Sequence, residues 1–106
     1  MLNTITHLRK GPAMANKTVS FTKSGISKLP NNKPVVYRIQ TEGGRTNYVG
    51  IAKKGRVQDR LEEHIDAGKI PGAKVQIEEK SSVREAEKTE ARVIARTEPK
   101  YNEKGK

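Results

Sequence analysis

The 106-residue chain has no cysteine and no tryptophan, a single phenylalanine and three tyrosines. The lack of cysteine rules out a disulfide framework, a thiolate zinc site and a cysteine nucleophile, so any metal ion must sit on carboxylate or imidazole. No long hydrophobic run is present. The stretch from Met1 to Lys17 carries Arg9 and Lys10 but no uninterrupted apolar segment, which fits neither a signal peptide nor a membrane span; a cytoplasmic protein with no membrane partner is expected. With 32% hydrophobic and 4% aromatic residues, the chain can form one domain around a small core. Acidic residues are also scarce. Twelve Asp and Glu stand against 22 Lys and Arg, for a formal net charge of +10 and a pI near 10.0. Such a field suits a polyanionic partner, with nucleic acid as the leading candidate.

Residues 1–32 are polar and basic, and Gly11, Pro12, Gly25 and Pro30 interrupt them. A weakly ordered N-terminal arm is expected there, followed by a compact domain over 33–106, and Met14 is an alternative start. Phe21, Ile26 and Leu29 could form a short helical turn docked on the domain, although their spacing follows helical periodicity poorly. From Pro34 the pattern sharpens. The segments Val35-Val36-Tyr37-Arg38-Ile39-Gln40 and Thr46-Asn47-Tyr48-Val49-Gly50-Ile51 are rich in β-branched and aromatic residues, as strands favour. Between them, Glu42-Gly43-Gly44-Arg45 predicts a hairpin with a two-residue primed turn at the glycines and a Glu42–Arg45 ion pair across it. Pairing outward from that turn sets Ile39 opposite Tyr48 and Tyr37 opposite Gly50. Both tyrosines then project from one face beside a bare glycine.

Residues 56–67 predict a helix stopped by Gly68 and Pro71, with Val57, Leu61 and His64 on one face and Arg60 one turn before His64. Residues 73–80 alternate as a third strand with Val75 and Ile77 inward. Ser81 or Ser82 caps a last helix running to Thr97, where Glu85 would complete a capping box with Ser82. The order β-β-α-β-α is an α/β (α+β) fold: a small three-stranded antiparallel or mixed sheet flanked by helices.

In the last helix Val83, Ala86, Val93 and Ile94 form one apolar stripe, with Glu90 among them, while Lys88, Arg92, Glu85 and Arg96 face away. A carboxylate in an apolar stripe protonates, pairs with a base or binds a metal ion. Arg60, His64 and Glu90 thus aim inward from two helices, and Tyr37 and Tyr48 from the hairpin. Each has an ordinary structural alternative: tyrosine and histidine pack in cores, Arg60 could pair with Glu63 or Asp59, and Glu90 with a Lys or Arg. Their convergence in a chain with little core points to a reaction site.

The same residues resemble the GIY-YIG nucleases. Val35-Val36-Tyr37 stands at that family's first motif and Tyr48-Val49-Gly50 at its second, with the tyrosines eleven positions apart. Arg60 and His64 fit the arginine and following His or Tyr on the next helix. Glu90, Val93-Ile94 and Pro99-Lys100-Tyr101-Asn102 look like the version in the nuclease subunit of bacterial nucleotide excision repair. The resemblance covers about residues 33–102. Val35 departs from the usual glycine and Ile51 from a usual lysine, for which Lys53 and Lys54 lie close by. Arg56 is a rival to Arg60, one turn earlier.

The resemblance implies a metal-dependent endonuclease that hydrolyses DNA phosphodiester bonds. Glu90 would hold one Mg²⁺ or Mn²⁺, Tyr37 would be the general base with Tyr48 or His64 as alternatives, and Arg60 would clamp the phosphate. His64 would bind the phosphate or relay a proton, and Asn102 would orient the neighbourhood of Glu90 or Tyr37. Lys53, Lys54, Arg56 and Gly50 are the expected nucleic-acid contacts. DNA, including structured or branched forms, is the expected partner, with a protein partner or oligomer supplying specificity. Two rivals stay open: a catalytically inactive nucleic-acid-binding module of the same shape, and a basic structural or ribosome-associated protein in which Glu90 and His64 form an internal ion pair.

Overall fold

The computed structural model describes residues 16–102. Along the chain run β1 (Asn16–Ser20), α1 (Lys23–Ile26), β2 (Val35–Gln40), β3 (Thr46–Ala52), α2 (Val57–Ala67), β4 (Lys74–Glu79) and α3 (Val83–Thr97). The sheet has four strands in the order β1-β4-β2-β3, and each neighbouring pair is antiparallel. The expected three-stranded sheet is therefore one strand short. β1 eluded the sequence pattern because Asn16–Ser20 is an edge strand with mostly exposed side chains, so it carries little of the apolar alternation that marks a half-buried strand.

Residues 16–32 do more than trail from the domain, unlike the expected arm. Ile26 and Leu29 are buried, and Val19 and Phe21 pack against the same cluster. Asn31 Oδ1 accepts the backbone N–H groups of Val57 at 2.8 Å and Gln58 at 3.3 Å. These are two of the unpaired donors that every helix start exposes. Arg56, at the cap position itself, makes no side-chain cap, so the capping group comes from 26 residues upstream. Residues 1–15, including Met14, lie outside the described residues.

Strand β2 lies between β4 and β3 and is covered on both faces, which explains the unbroken apolar run Val35-Val36-Tyr37. On one face Val35, Tyr37, Ile39, Val75 and Ile77 pack with Ile26, Leu29, Val57 and Leu61 from the α1 and α2 side. On the other, Val36 and Val49 pack with Ala86 and Val93 of α3, flanked by Ile51 and Ile94. The side chain at 51 is apolar because it faces α3. Ser82 caps α3 by accepting the Glu85 N–H at 3.1 Å, while the Glu85 carboxylate lies 3.9 Å from Lys88 Nζ.

The hairpin keeps its expected pairing by an unexpected route. Ile39 faces Tyr48 and Tyr37 faces Gly50, but Gln40 faces Thr46, with a bulge between the two registers. The loop is Glu42-Gly43-Gly44: the Thr41 carbonyl accepts from Gly44 N–H at 2.9 Å, and Thr41 N–H donates to the Arg45 carbonyl at 2.9 Å. Only Gly44 takes a positive φ, 96°. This three-residue connection replaces the expected two-residue turn and sets Thr41, not Glu42, against Arg45, so the expected Glu42–Arg45 ion pair does not form. A loop one residue longer would shift every side chain of β3 to the opposite face. Asn47, the extra residue, absorbs the shift; it is 6% exposed and its Nδ2 donates to the Pro71 carbonyl at 2.8 Å.

Candidate active site

Tyr37 sits at the centre of the sheet, fully buried, because the register places it opposite Gly50. A Cβ at Gly50 would lie 2.6 Å from both Cζ and Oη of Tyr37. Glycine is what lets the ring lie flat across the strand. Gly50, expected at a nucleic-acid surface, is itself buried and makes room for the phenol instead.

The Tyr37 hydroxyl is 2.7 Å from His64 Nε2. Tyr48 completes an aromatic group, its ring centre 4.9 Å from that of His64 and 6.2 Å from that of Tyr37. Burial, then Tyr48, pushes the Tyr37 phenol far above its ordinary range; Arg60 opposes this through its charge, and Glu90 adds to it. Burial, then the Arg60 charge, holds His64 below its usual 6.5, with Glu63 opposing. The two shifts have one consequence: at neutral pH phenol and imidazole are both uncharged and share one short hydrogen bond.

Glu90 is half-buried on α3, and its carboxyl is raised from the usual 4.5, first by burial and then by Glu87. Among the described residues it forms neither a hydrogen bond nor an ion pair. The internal Glu90–His64 ion pair of the structural rival is therefore absent. A half-buried acid with no cation beside it is the donor that a hard divalent ion takes, and one carboxylate suffices when water and substrate oxygens complete the shell. No group of three or more His, Asp or Glu side chains is gathered for a metal among the described residues.

Arg60 lies at the mouth of a groove of about 230 Å³ lined by Ile51, Ala52, Lys53, Arg56 and Arg60. Its guanidinium donates to Glu63 at 3.2 Å, the surface pairing weighed above, and also acts on Tyr37. Lys53 and Lys54 are exposed; Lys53 lines the groove and Lys54 does not. Arg56 is held by Asp59 and Glu63.

Asn102 is elsewhere engaged. Its Oδ1 accepts the Val49 N–H at 2.8 Å and its Nδ2 donates to the Val49 carbonyl at 2.9 Å, while Tyr101 N–H donates to the Asn47 carbonyl at 2.8 Å. The amide thus mimics a peptide group and covers the open edge of β3 between Tyr48 and Gly50, in place of the expected contact with Glu90 or Tyr37. No helix among the described residues is long and apolar enough to cross a membrane.

No family model and no curated protein matches this chain in sequence. Solved structures do match. The GIY-YIG N-terminal endonuclease domain of UvrC from Thermotoga maritima, bound to its catalytic divalent cation magnesium, superposes with a TM-score of 0.62 at 24% identity, covering 76% of this chain and 94% of that one. A point mutant of that domain bound to its catalytic divalent cation gives 0.62 at 24% identity over 77% and 94%. The four-stranded antiparallel sheet flanked by helices matches the GIY-YIG fold.

Proposed function

We propose that the protein is a metal-dependent endonuclease acting on DNA phosphodiester bonds. The observation that carries this reading is Glu90: a half-buried carboxylate with no cationic partner among the described residues, close enough to oppose ionisation of a phenol already bonded to a neutral histidine. The cation-bound UvrC domains support it through their shared fold.

In this reading Tyr37 donates its hydroxyl proton to His64 Nε2 and takes the proton of the attacking water. Both transfers are needed together, because burial makes a free Tyr37 phenolate inaccessible. The water oxygen bonds to phosphorus as the bond to the 3′ oxygen breaks, and His64 carries the extra proton. Arg60 meets the charge that develops on the non-bridging oxygens. Glu90 would hold a Mg²⁺ or Mn²⁺ ion, and that ion would supply charge stabilisation for the leaving oxygen. Tyr48 packs against His64 and keeps the imidazole facing Tyr37. Lys53, Lys54 and Arg56 draw in the flanking phosphates, and Asn102 keeps β3 straight beneath the site.

Supercoiled plasmid incubated with Mg²⁺ or Mn²⁺ should be nicked by the wild type, and not by Glu90→Ala or in EDTA. Full activity in either would remove the metal from the mechanism. Arg60→Gln should lose roughly 3 kcal/mol of transition-state stabilisation, about a hundredfold or more in rate. Salt-dependent DNA binding with no nicking under any divalent ion would leave the non-catalytic module as the better description.

A further inference from the structure

Two arginines on successive turns of α2 converge on one carboxylate. Arg60 Nη1 donates to Glu63 Oε1 at 3.2 Å, and Arg56 Nη2 donates to Glu63 Oε2 at 3.3 Å, so each oxygen of Glu63 holds one guanidinium. Both arginines line the groove together with Lys53. The groove therefore has three cations around a space large enough for a phosphodiester, and Glu63, which lies outside its lining beside Asp59, Glu62 and Asp66, ties two of them from the flank. Of the neighbouring acids, Asp59 also holds Arg56, at 3.1 Å, whereas Asp66, on the same helix, pairs with Lys23 of α1 at 3.2 Å. A phosphate, like a carboxylate, presents two anionic oxygens that each accept from a guanidinium, which is why one can replace the other on a pair of arginines.

We infer that Glu63 is a resident anion that holds the two arginines of a phosphate subsite from the flank of the groove, and that an arriving nucleic-acid phosphate takes Arg56 and Arg60 from it together. The inference rests on the nuclease reading for the identity of the ligand, but the subsite itself stands on the geometry of α2. Its effect is discrimination. A lone weak anion cannot outcompete a tethered carboxylate, whereas a polyanion anchored also at Lys53 can. Because Arg60 serves both the groove and Tyr37, releasing it from Glu63 couples occupancy of the groove to the charge facing the phenol.

The sign of a charge-neutral substitution tests this. Glu63→Gln and Asp66→Asn remove the same charge from the same helix, and both side chains are more than half exposed, at 54% and 65%, so both variants should fold. Binding of a fluorescent 20-nucleotide DNA in EDTA, read by anisotropy, should tighten about three- to fivefold in Glu63→Gln, the range expected when an exposed ion pair no longer competes. It should change less than about twofold in Asp66→Asn, where the ion pair lost is with Lys23, which does not line the groove. Equal effects in the two variants, or weaker binding in Glu63→Gln, overturn the inference. A second arm needs no nucleic acid: with inorganic phosphate as the probe, the arginine Nε–H signals of Arg56 and Arg60 should shift at lower phosphate in Glu63→Gln than in wild type. Absence of that difference also overturns it. If the Glu63 pattern holds but plasmid is never nicked, the nuclease reading fails alone; if nicking occurs without the pattern, the Glu63 assignment fails alone.

Discussion

Glu90 keeps a charge half out of water with no cation among the described residues to offset it, and that costs the fold something whether or not a metal ever binds. Its carboxyl is raised above 4.5 by burial and by Glu87, so the folded chain holds that proton more tightly than the unfolded chain. Stability from this group therefore declines as pH rises through its folded value. Glu90→Gln should raise Tm at pH 7 while abolishing cleavage, and differential scanning calorimetry would show it; a fall in Tm would mean that Glu90 has a cationic partner. His64 behaves oppositely. Burial and Arg60 hold it below 6.5, so its contribution to stability is complete above 6.5 and is lost as pH falls below that value. If neutral His64 receives the Tyr37 proton, the acid limb of kcat/KM for plasmid nicking should have its midpoint below 6.5. A midpoint above 6.5 would exclude His64 from the relay.

At the level of elements, the site depends on groups that never touch it. Helix α2 carries Arg60 and His64, yet the cap at its start belongs to Asn31. Asn31→Ala should cost about 1 kcal/mol, as loss of a cap usually does, and lower Tm by roughly 4–8 °C in a domain of this size. Thermal melts followed by circular dichroism would measure it, and an unchanged Tm would show that water replaces the amide without loss. The same dependence holds for β3, an edge strand whose open side is covered by Tyr101 and Asn102. Edge strands left uncovered invite pairing with other chains. The bulge at Asn47 keeps Tyr48 and Gly50 on the face of Tyr37 despite the three-residue loop.

Across the whole molecule, the boundary suggested by composition at residue 32 cuts through the packing. Ile26 and Leu29 belong to the cluster that contains Tyr37, Ile39, Val57 and Leu61, and β1 pairs with β4 along all five of its residues. A fragment of residues 33–106 should be markedly less stable than one of residues 16–106, since each large side chain removed from a core costs about 2–5 kcal/mol. Urea denaturation of the two fragments would compare them, and equal midpoints would restore the arm as a separate element. The net charge acts at this scale too. Positive charge dominates the chain while α2 exposes Asp59 and Asp66, so a polyanion is drawn to the Lys53 side, where Arg56 and Arg60 line the groove.

Periodicity made both long helices, strand β4 and the position of Glu90 legible, because each is encoded by residues close together in the chain; the hairpin pairing, read from a two-residue turn, held only because the bulge at Asn47 offsets the three-residue loop. Alternation fixes a strand's face, and a 100° step fixes a helix's. What the sequence could not reveal was held by contacts of long separation: Asn31 on α2, β1 on β4, Asn102 on Val49, and the shared grip of Arg56 and Arg60 on Glu63. Asn102 illustrates the difference. Its motif was visible, but only the folded chain decided that both ends of its amide serve the backbone of an edge strand, because an unpaired peptide group at that edge must find a partner and the chain's end is what passes beside it.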